Sequence, residues 1–160
     1  MEAVLKKVYD SPKISLSLKI ISHVSALVGV VAFAVLVIYS YIEEPMAALK
    51  IAVSALIPYI IVSVMRRLIK APRPYELYAF YQKPPKSKQG QSFPSRHVFS
   101  AFVIATLSYT VSVWMLVALS VLGMCLAASR VLLGIHFVRD VVAGALIGVI
   151  SGIFGIVIIL

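Results

Sequence analysis

The 160-residue chain is 61% hydrophobic and only 13% charged, with a mean hydropathy of +1.02 and a formal net charge of +9. Soluble domains carry about 25% charged residues, so a water-soluble fold is excluded, and the length leaves room for one membrane-embedded domain, residues 1–160. A basic chain can mark a nucleic-acid binder, but no charged surface domain is left to hold one, so anionic headgroups or phosphate are the expected partners and nucleic acid is not.

Residues 1–19 mix apolar residues with Lys6, Lys7, Lys13 and Lys19, as an interfacial helix or a frayed tail would. Residues 20–42 hold no charge over 23 positions and can cross a hydrocarbon core of ~30 Å. That stretch is too long for a signal-peptide core and no small-residue cleavage site follows, so a retained span is expected. His23 lies inside it, and a packing or hydrogen-bonding role is assigned. Residues 45–65 predict a second span, with Lys50 snorkelling near its mouth and a kink at Pro58.

Residues 66–97 form a basic loop with eight Lys and Arg against Glu76 alone. Its Tyr75, Tyr78, Phe80 and Tyr81 suit an interfacial aromatic belt, with a lid over the site as the alternative. Residues 98–129 are 32 positions without a charge. One helix of that length would run ~48 Å, while two helices must turn near residues 108–112 and would each have about 15 residues. Composition leaves the choice open. The chemistry favours the hairpin, because His97 and Arg130 must share a membrane face to cooperate. Cys125, the only cysteine, excludes a disulfide or a cysteine zinc site and is expected to be a buried small residue. Residues 141–160 predict a last span, where Gly144, Gly148 and Gly152 let another helix of the same chain approach closely.

The fold expected is therefore all-α, a transmembrane bundle of about five spans. The N-terminus, the 66–97 loop and the turn at residues 130–140 then share one side. Setting aside the arginines suited to phosphate, that side still holds nearly all the Lys and Arg, so it is expected to be cytoplasmic.

Ionisable groups at span ends are costly and mark function. Arg66 and Arg73 stand at the end of the second span. Ser95, Arg96 and His97 open the third, and Arg130, His136 and Asp140 join the last two. Guanidinium forks match phosphate oxygens, and a serine hydroxyl with helix N-terminal amides adds donors to the same anion. Histidine supplies a nucleophile or a general acid near neutral pH. His136 and Asp140, four apart, share a face if their turn is helical, and the carboxylate could fix the imidazole tautomer.

These pieces resemble the type 2 phosphatidic acid phosphatase (PAP2) family, which shares its site with vanadium haloperoxidases. The family is marked by K-x6-R-P, P-S-G-H and S-R-x5-H-x3-D. This chain has Arg66-x6-Arg73-Pro74, Pro94-Ser95-Arg96-His97 and Ser129-Arg130-x5-His136-x3-Asp140, a match running from Arg66 to Asp140. The resemblance implies a PAP2/haloperoxidase-like core in which His136 attacks phosphorus, Asp140 orients it and His97 protonates the leaving alcohol. Arg66, Arg73, Ser95 and Arg130 would hold the phosphoryl oxygens. Arg66 replaces the family Lys, and Arg96 replaces the family Gly, where it adds a cation at the pocket rim or points to headgroups. No metal and no cofactor are implied, and a two-metal site would need more carboxylates than Glu76 and Asp140 provide here. The activity expected is a lipid phosphomonoesterase acting on phosphatidylglycerophosphate or phosphatidate. Undecaprenyl diphosphate hydrolysis, phosphoryl transfer to an acceptor lipid, or a non-enzymatic phosphate-binding transporter are the alternatives. The sequence does not assign an oligomeric state.

Overall fold

The computed structural model describes residues 1–81 and 90–159. Lys83, Lys86 and Lys88 of the basic loop, and Leu160, lie outside the described residues.

Two prolines punctuate the first half of the chain. The residue before a proline is pushed out of helical geometry, while proline itself suits the first turn. Ser11 (φ −109°, ψ 98°) accordingly separates α1 (Glu2–Tyr9) from α2 (Pro12–Glu43). Glu44 (φ −152°, ψ 108°) separates α2 from α3 (Pro45–Ile69). The expected N-terminal segment thus splits: α1 buries Leu5 and Val8, whereas Lys13 and Lys19 ride on the first turns of α2. At 32 residues α2 is ~48 Å long, which carries those lysines beyond the hydrocarbon. α3 continues through Pro58 and stops at Lys70, whose left-handed backbone (φ 49°) closes the helix onto the Arg66 carbonyl, and a single turn, α4 (Pro74–Leu77), follows.

The uncharged stretch at 98–129 folds back, as the chemistry required. α5 (Arg96–Leu107) passes into a 3-10 turn at Ser108–Thr110, and α6 (Val113–Leu132) starts where the Ser112 hydroxyl accepts the Trp114 N–H at 3.2 Å. The arms are unequal, however: 12 residues in α5 and 20 in α6 rather than about 15 each. Among the described residues, four stretches are long and apolar enough to cross a membrane, Pro12–Glu43, Pro45–Leu77, Val113–Leu132 and Val138–Ile159. α5 is the short fifth member, ~18 Å long and unable to cross by itself.

What holds α5 is α7 (Val138–Ile159). A Cβ on Gly144 would lie 2.6 Å from the Ser95 carbonyl oxygen, and one on Gly148 would lie 2.6 Å from that of Phe99. The glycine stripe is consumed inside the chain, backbone against backbone. Leu36, Ile51, Val62, Phe99, Val103 and Leu107 fill the centre between α2, α3 and α5. The outward faces stay apolar, with Leu27, Leu56, Val121 and Val157 exposed, because lipid is the solvent there. Cys125 is on that outer surface of α6, against the expectation of burial. Lys50 snorkels as expected, and its Nζ reaches the Ile159 carbonyl at 3.5 Å, placing a cation at the C-terminal end of α7.

Candidate active site

Three chain segments meet at one end of the bundle. The backbone of residues 90–95 is laid against the end of α3: the Ser92 N–H donates to the Ala71 carbonyl at 2.9 Å, and Glu76 accepts the Gly90 N–H at 3.0 and 3.2 Å. The Ser95 N–H donates to the Asp140 carbonyl at 2.9 Å, which ties the start of α5 to the start of α7. The turn between α6 and α7 closes through Gly134 (φ +68°), and the amides of Ile135 and His136 both donate to the Arg130 carbonyl, at 3.0 and 3.3 Å. Arg130, His136 and Asp140 are thereby set on three sides of one tight bend.

The His136–Asp140 pair is more elaborate than the sequence suggested. His136 and Asp140 are both buried, but Nδ1 and Oδ2 stand 3.7 Å apart, too far for a direct hydrogen bond. Ser92, also fully buried, lies between them. Its hydroxyl donates to Asp140 Oδ2, and its oxygen is 3.4 Å from His136 Nδ1. The Phe137 N–H donates to the same Oδ2 at 2.9 Å. Nδ1 is therefore the protonated nitrogen that this arrangement favours, leaving Nε2 with a free lone pair. Burial pushes His136 below the ordinary imidazole value, Asp140 opposes the shift, and the charges of Arg73 and Arg66 reinforce it. Ser92 was missed in the sequence, where a serine before the P-S-x-H motif carries no signal of its own.

Around this pair stands the cationic shell. Arg66, 4% exposed, donates through Nη1 to the carbonyls of Pro94 (2.6 Å) and Ser92 (3.4 Å) and through Nη2 to that of Gln91. Arg73 Nη2 joins it on Gln91 at 3.3 Å. Arg66 thus clamps the 91–94 backbone with three of its five N–H donors, leaving Nε and one Nη2 hydrogen for a ligand. Arg130 and Arg73 are close enough to repel each other. Among the described residues, Nε of Arg66, Arg73 and Arg130 and Oγ of Ser95 are buried without a hydrogen-bond partner. A buried donor without an acceptor costs about 1–3 kcal/mol, so four of them on the same three segments mark a place built for an anion.

Two expected site residues stand apart from that cluster. His97 is exposed and lines a groove of about 390 Å³ between α2, α3, α5 and α6, within electrostatic range of Arg130 and His136. Arg96 lines the same groove, with its Cζ 5.9 Å from the centre of the Tyr59 ring. His23 is exposed and hydrogen-bonds the Lys19 carbonyl of its own helix at 2.7 Å, outside the site. The loop aromatics pack on one another and on α1. Tyr9 of α1 packs on Phe80 and Tyr81 at 5.8 and 5.1 Å, Tyr78 stacks on Phe80, and the Tyr81 ring fills the space beside Gly134.

This geometry gathers a histidine–serine–aspartate cluster and unpartnered guanidinium and hydroxyl donors at one end of an apolar helix bundle, an arrangement suited to an anion. A family model described as the PAP2 superfamily matches residues 47–159. The chain belongs to that superfamily. Among solved structures it is similar to Aquifex aeolicus LpxE, with 26% identity over 91% of this chain and 87% of that one, at a TM-score of 0.72. It shares its fold with a transmembrane PAP2-type phosphatidylglycerolphosphate phosphatase from Bacillus subtilis, at 20% identity over 98% of this chain and 83% of that one and a TM-score of 0.73. No curated protein matches the chain.

Proposed function

We propose that the chain is an integral membrane phosphatase that hydrolyses a lipid phosphomonoester through a phosphohistidine. The observation that carries this reading is the buried His136–Ser92–Asp140 relay beside four unpartnered donors on Arg66, Arg73, Arg130 and Ser95. His136 Nε2 attacks phosphorus while the bond from phosphorus to the leaving oxygen breaks. His97 gives that oxygen its proton, so the leaving oxygen departs as a hydroxyl rather than an alkoxide. Water, with His97 now acting as base, then displaces the histidine and releases inorganic phosphate. The relay stabilises the imidazolium formed at His136, and the guanidinium groups and the Ser95 hydroxyl stabilise the charge spread over the transferring oxygens. Asp140 is engaged by Ser92 and Phe137 through Oδ2 alone, its Oδ1 lies 3.6 Å from Arg139 Nε, and both oxygens of Glu76 take the Gly90 N–H, so these two carboxylates fall short of the ligand set a two-metal centre needs and favour metal-independent chemistry.

The substrates that fit are phosphatidylglycerophosphate and phosphatidate, lipids that keep their tails in the bilayer and present a terminal phosphate. The basic residues concentrated on the site's side favour a cytoplasmic orientation in the cell membrane. The test is phosphate release from a panel of purified lipid phosphates, with and without chelator, by wild type and His136→Ala. The expected result is chelator-resistant release that His136→Ala abolishes while the variant stays monodisperse. Near-normal turnover by His136→Ala would overturn the mechanism.

A further inference from the structure

Arg96 is where this chain departs furthest from its family motif, and its side chain has an unusual setting. Among the described residues no carboxylate pairs with it and no hydrogen bond satisfies it; its contact is the face of Tyr59. A guanidinium at the edge of the hydrocarbon without a counter-charge is costly, which calls for an anion that the chain itself does not supply.

The position of Tyr59 says which part of a substrate that anion belongs to. α3 runs toward the site, and Arg66 clamps the catalytic loop near its end. Tyr59 lies seven residues earlier, about 10 Å further into the bilayer along the helix axis. Side chains on a helix also lean toward its N-terminus, which takes the ring deeper still. Arg96 therefore reaches toward the tail side of the phosphate cluster. The groove it lines continues that way. A second groove of about 350 Å³ shares Val30, Tyr59, Ser100 and Ile104 with the first, and its remaining walls include Phe33, Leu56 and Val103. From the relay inward, the order is a phosphoryl site, then His97 beside Arg96, then an apolar slot.

We infer that Arg96 binds a second phosphate of the substrate, one that stays on the leaving group, so that the site selects lipids with two phosphates over lipids with one. This rests on the phosphatase reading and narrows it. Phosphatidate leaves as a neutral glyceride and gives Arg96 nothing to hold. Phosphatidylglycerophosphate leaves with a phosphodiester, and a polyprenyl diphosphate leaves with its inner phosphate, and either puts an anion on the tail side of the broken bond. In the diphosphate case the guanidinium also meets charge that grows as the bond breaks, and such a contact raises the rate as well as the affinity.

The test uses the full chain in detergent micelles and two probes that cannot be hydrolysed, decyl phosphonate and decyl methylenebisphosphonate, with binding followed by calorimetry. Wild type should prefer the bisphosphonate. Arg96→Gln should reduce that preference about 10- to 100-fold, the usual range for a hydrogen bond to a charged group, and Arg96→Lys should retain more of it than Arg96→Gln. Arg96→Gly, which restores the family residue, serves as a second charge-removing variant if Arg96→Gln is not monodisperse. An unchanged preference ratio in the charge-removing variant, or equal affinity of wild type for both probes, overturns the inference. Phosphate release by wild type from the lipid panel is measured alongside. Release with an unmoved ratio defeats the role of Arg96 alone, whereas an Arg96-dependent preference without release from any lipid defeats the phosphatase reading.

Discussion

Replacing Ser92 with alanine isolates the relay, because it leaves both ends of the relay in place. Asp140 Oδ2 would keep the Phe137 N–H at 2.9 Å and lose its hydroxyl donor. His136 Nδ1 would face a carboxylate 3.7 Å away with nothing between. A hydrogen bond to a charged group is worth about 1.5–3 kcal/mol, and ~1.4 kcal/mol is tenfold in rate, so kcat should fall roughly 10- to 100-fold. Asp140 can offset this only by moving toward the imidazole, which the Phe137 N–H and its place in the first turn of α7 oppose. The loss should also stay well short of complete removal of the acid, which costs about 10⁴ in serine hydrolases. The assay is phosphate release at saturating lipid phosphate, paired with single-turnover formation of the acid-labile phosphoenzyme. Ser92→Ala should slow phosphoenzyme formation with KM nearly unchanged, and Ser92→Thr, which keeps a hydroxyl, should lie closer to wild type. A kcat within threefold of wild type in Ser92→Ala would refute the relay.

Gly134→Ala places a Cβ against the Tyr81 ring at a φ of +68°. It should destabilise the protein by about 1–3 kcal/mol, read as a lower melting temperature in detergent, and Tyr81→Ala should recover part of that loss; full wild-type stability would contradict the packing described. The depressed His136 pKa keeps its imidazole neutral, and so nucleophilic, to lower pH than an ordinary histidine near 6.5. With only three histidines to resolve, ¹⁵N-imidazole NMR should show the His136 midpoint below that value, and a midpoint at or above it would contradict the burial argument. Ala79→Cys, with Cys125→Ser, offers an exposed thiol on the site's side. An impermeant maleimide should leave it unlabelled in intact cells and modify it after lysis, and ready labelling of intact cells would invert the orientation.

Most of the site was legible because charge is scarce in this chain. With long apolar runs on either side, Arg66, Arg73, Arg130, His136 and Asp140 had nowhere to be except the span ends, and two of their spacings are short enough to survive any local geometry. The hairpin at Ser108–Thr110 was legible only through chemistry, since Ser108 and Ser112 are ordinary in a membrane helix. The unequal arms were hidden, because the length of α5 is set by packing against Gly144 and Gly148 of α7 and not by its own residues. Ser92 was hidden for a similar reason: its hydroxyl matters through partners 44 and 48 positions away. Arg66 stands at the span end that the sequence implied, yet its carbonyl partners at residues 91–94 could not be read from residue type, which told only that a cation stood there. Cys125 was misjudged because an apolar neighbourhood in sequence means burial in a soluble protein and lipid contact in this one.

That misjudged cysteine makes the immersion of the site measurable on the native sequence. Cys125 faces outward from α6, five residues before Arg130, a separation of about 7.5 Å along the helix. A nitroxide attached to this single thiol would report its distance from the aqueous boundary through relative access to oxygen and to a water-soluble relaxant. From that one depth the height of Arg130, and with it the plane in which a substrate phosphate must sit, follows by counting helical rise. The chain thus carries its own ruler, graduated from the acyl region to the place where the phosphate is held.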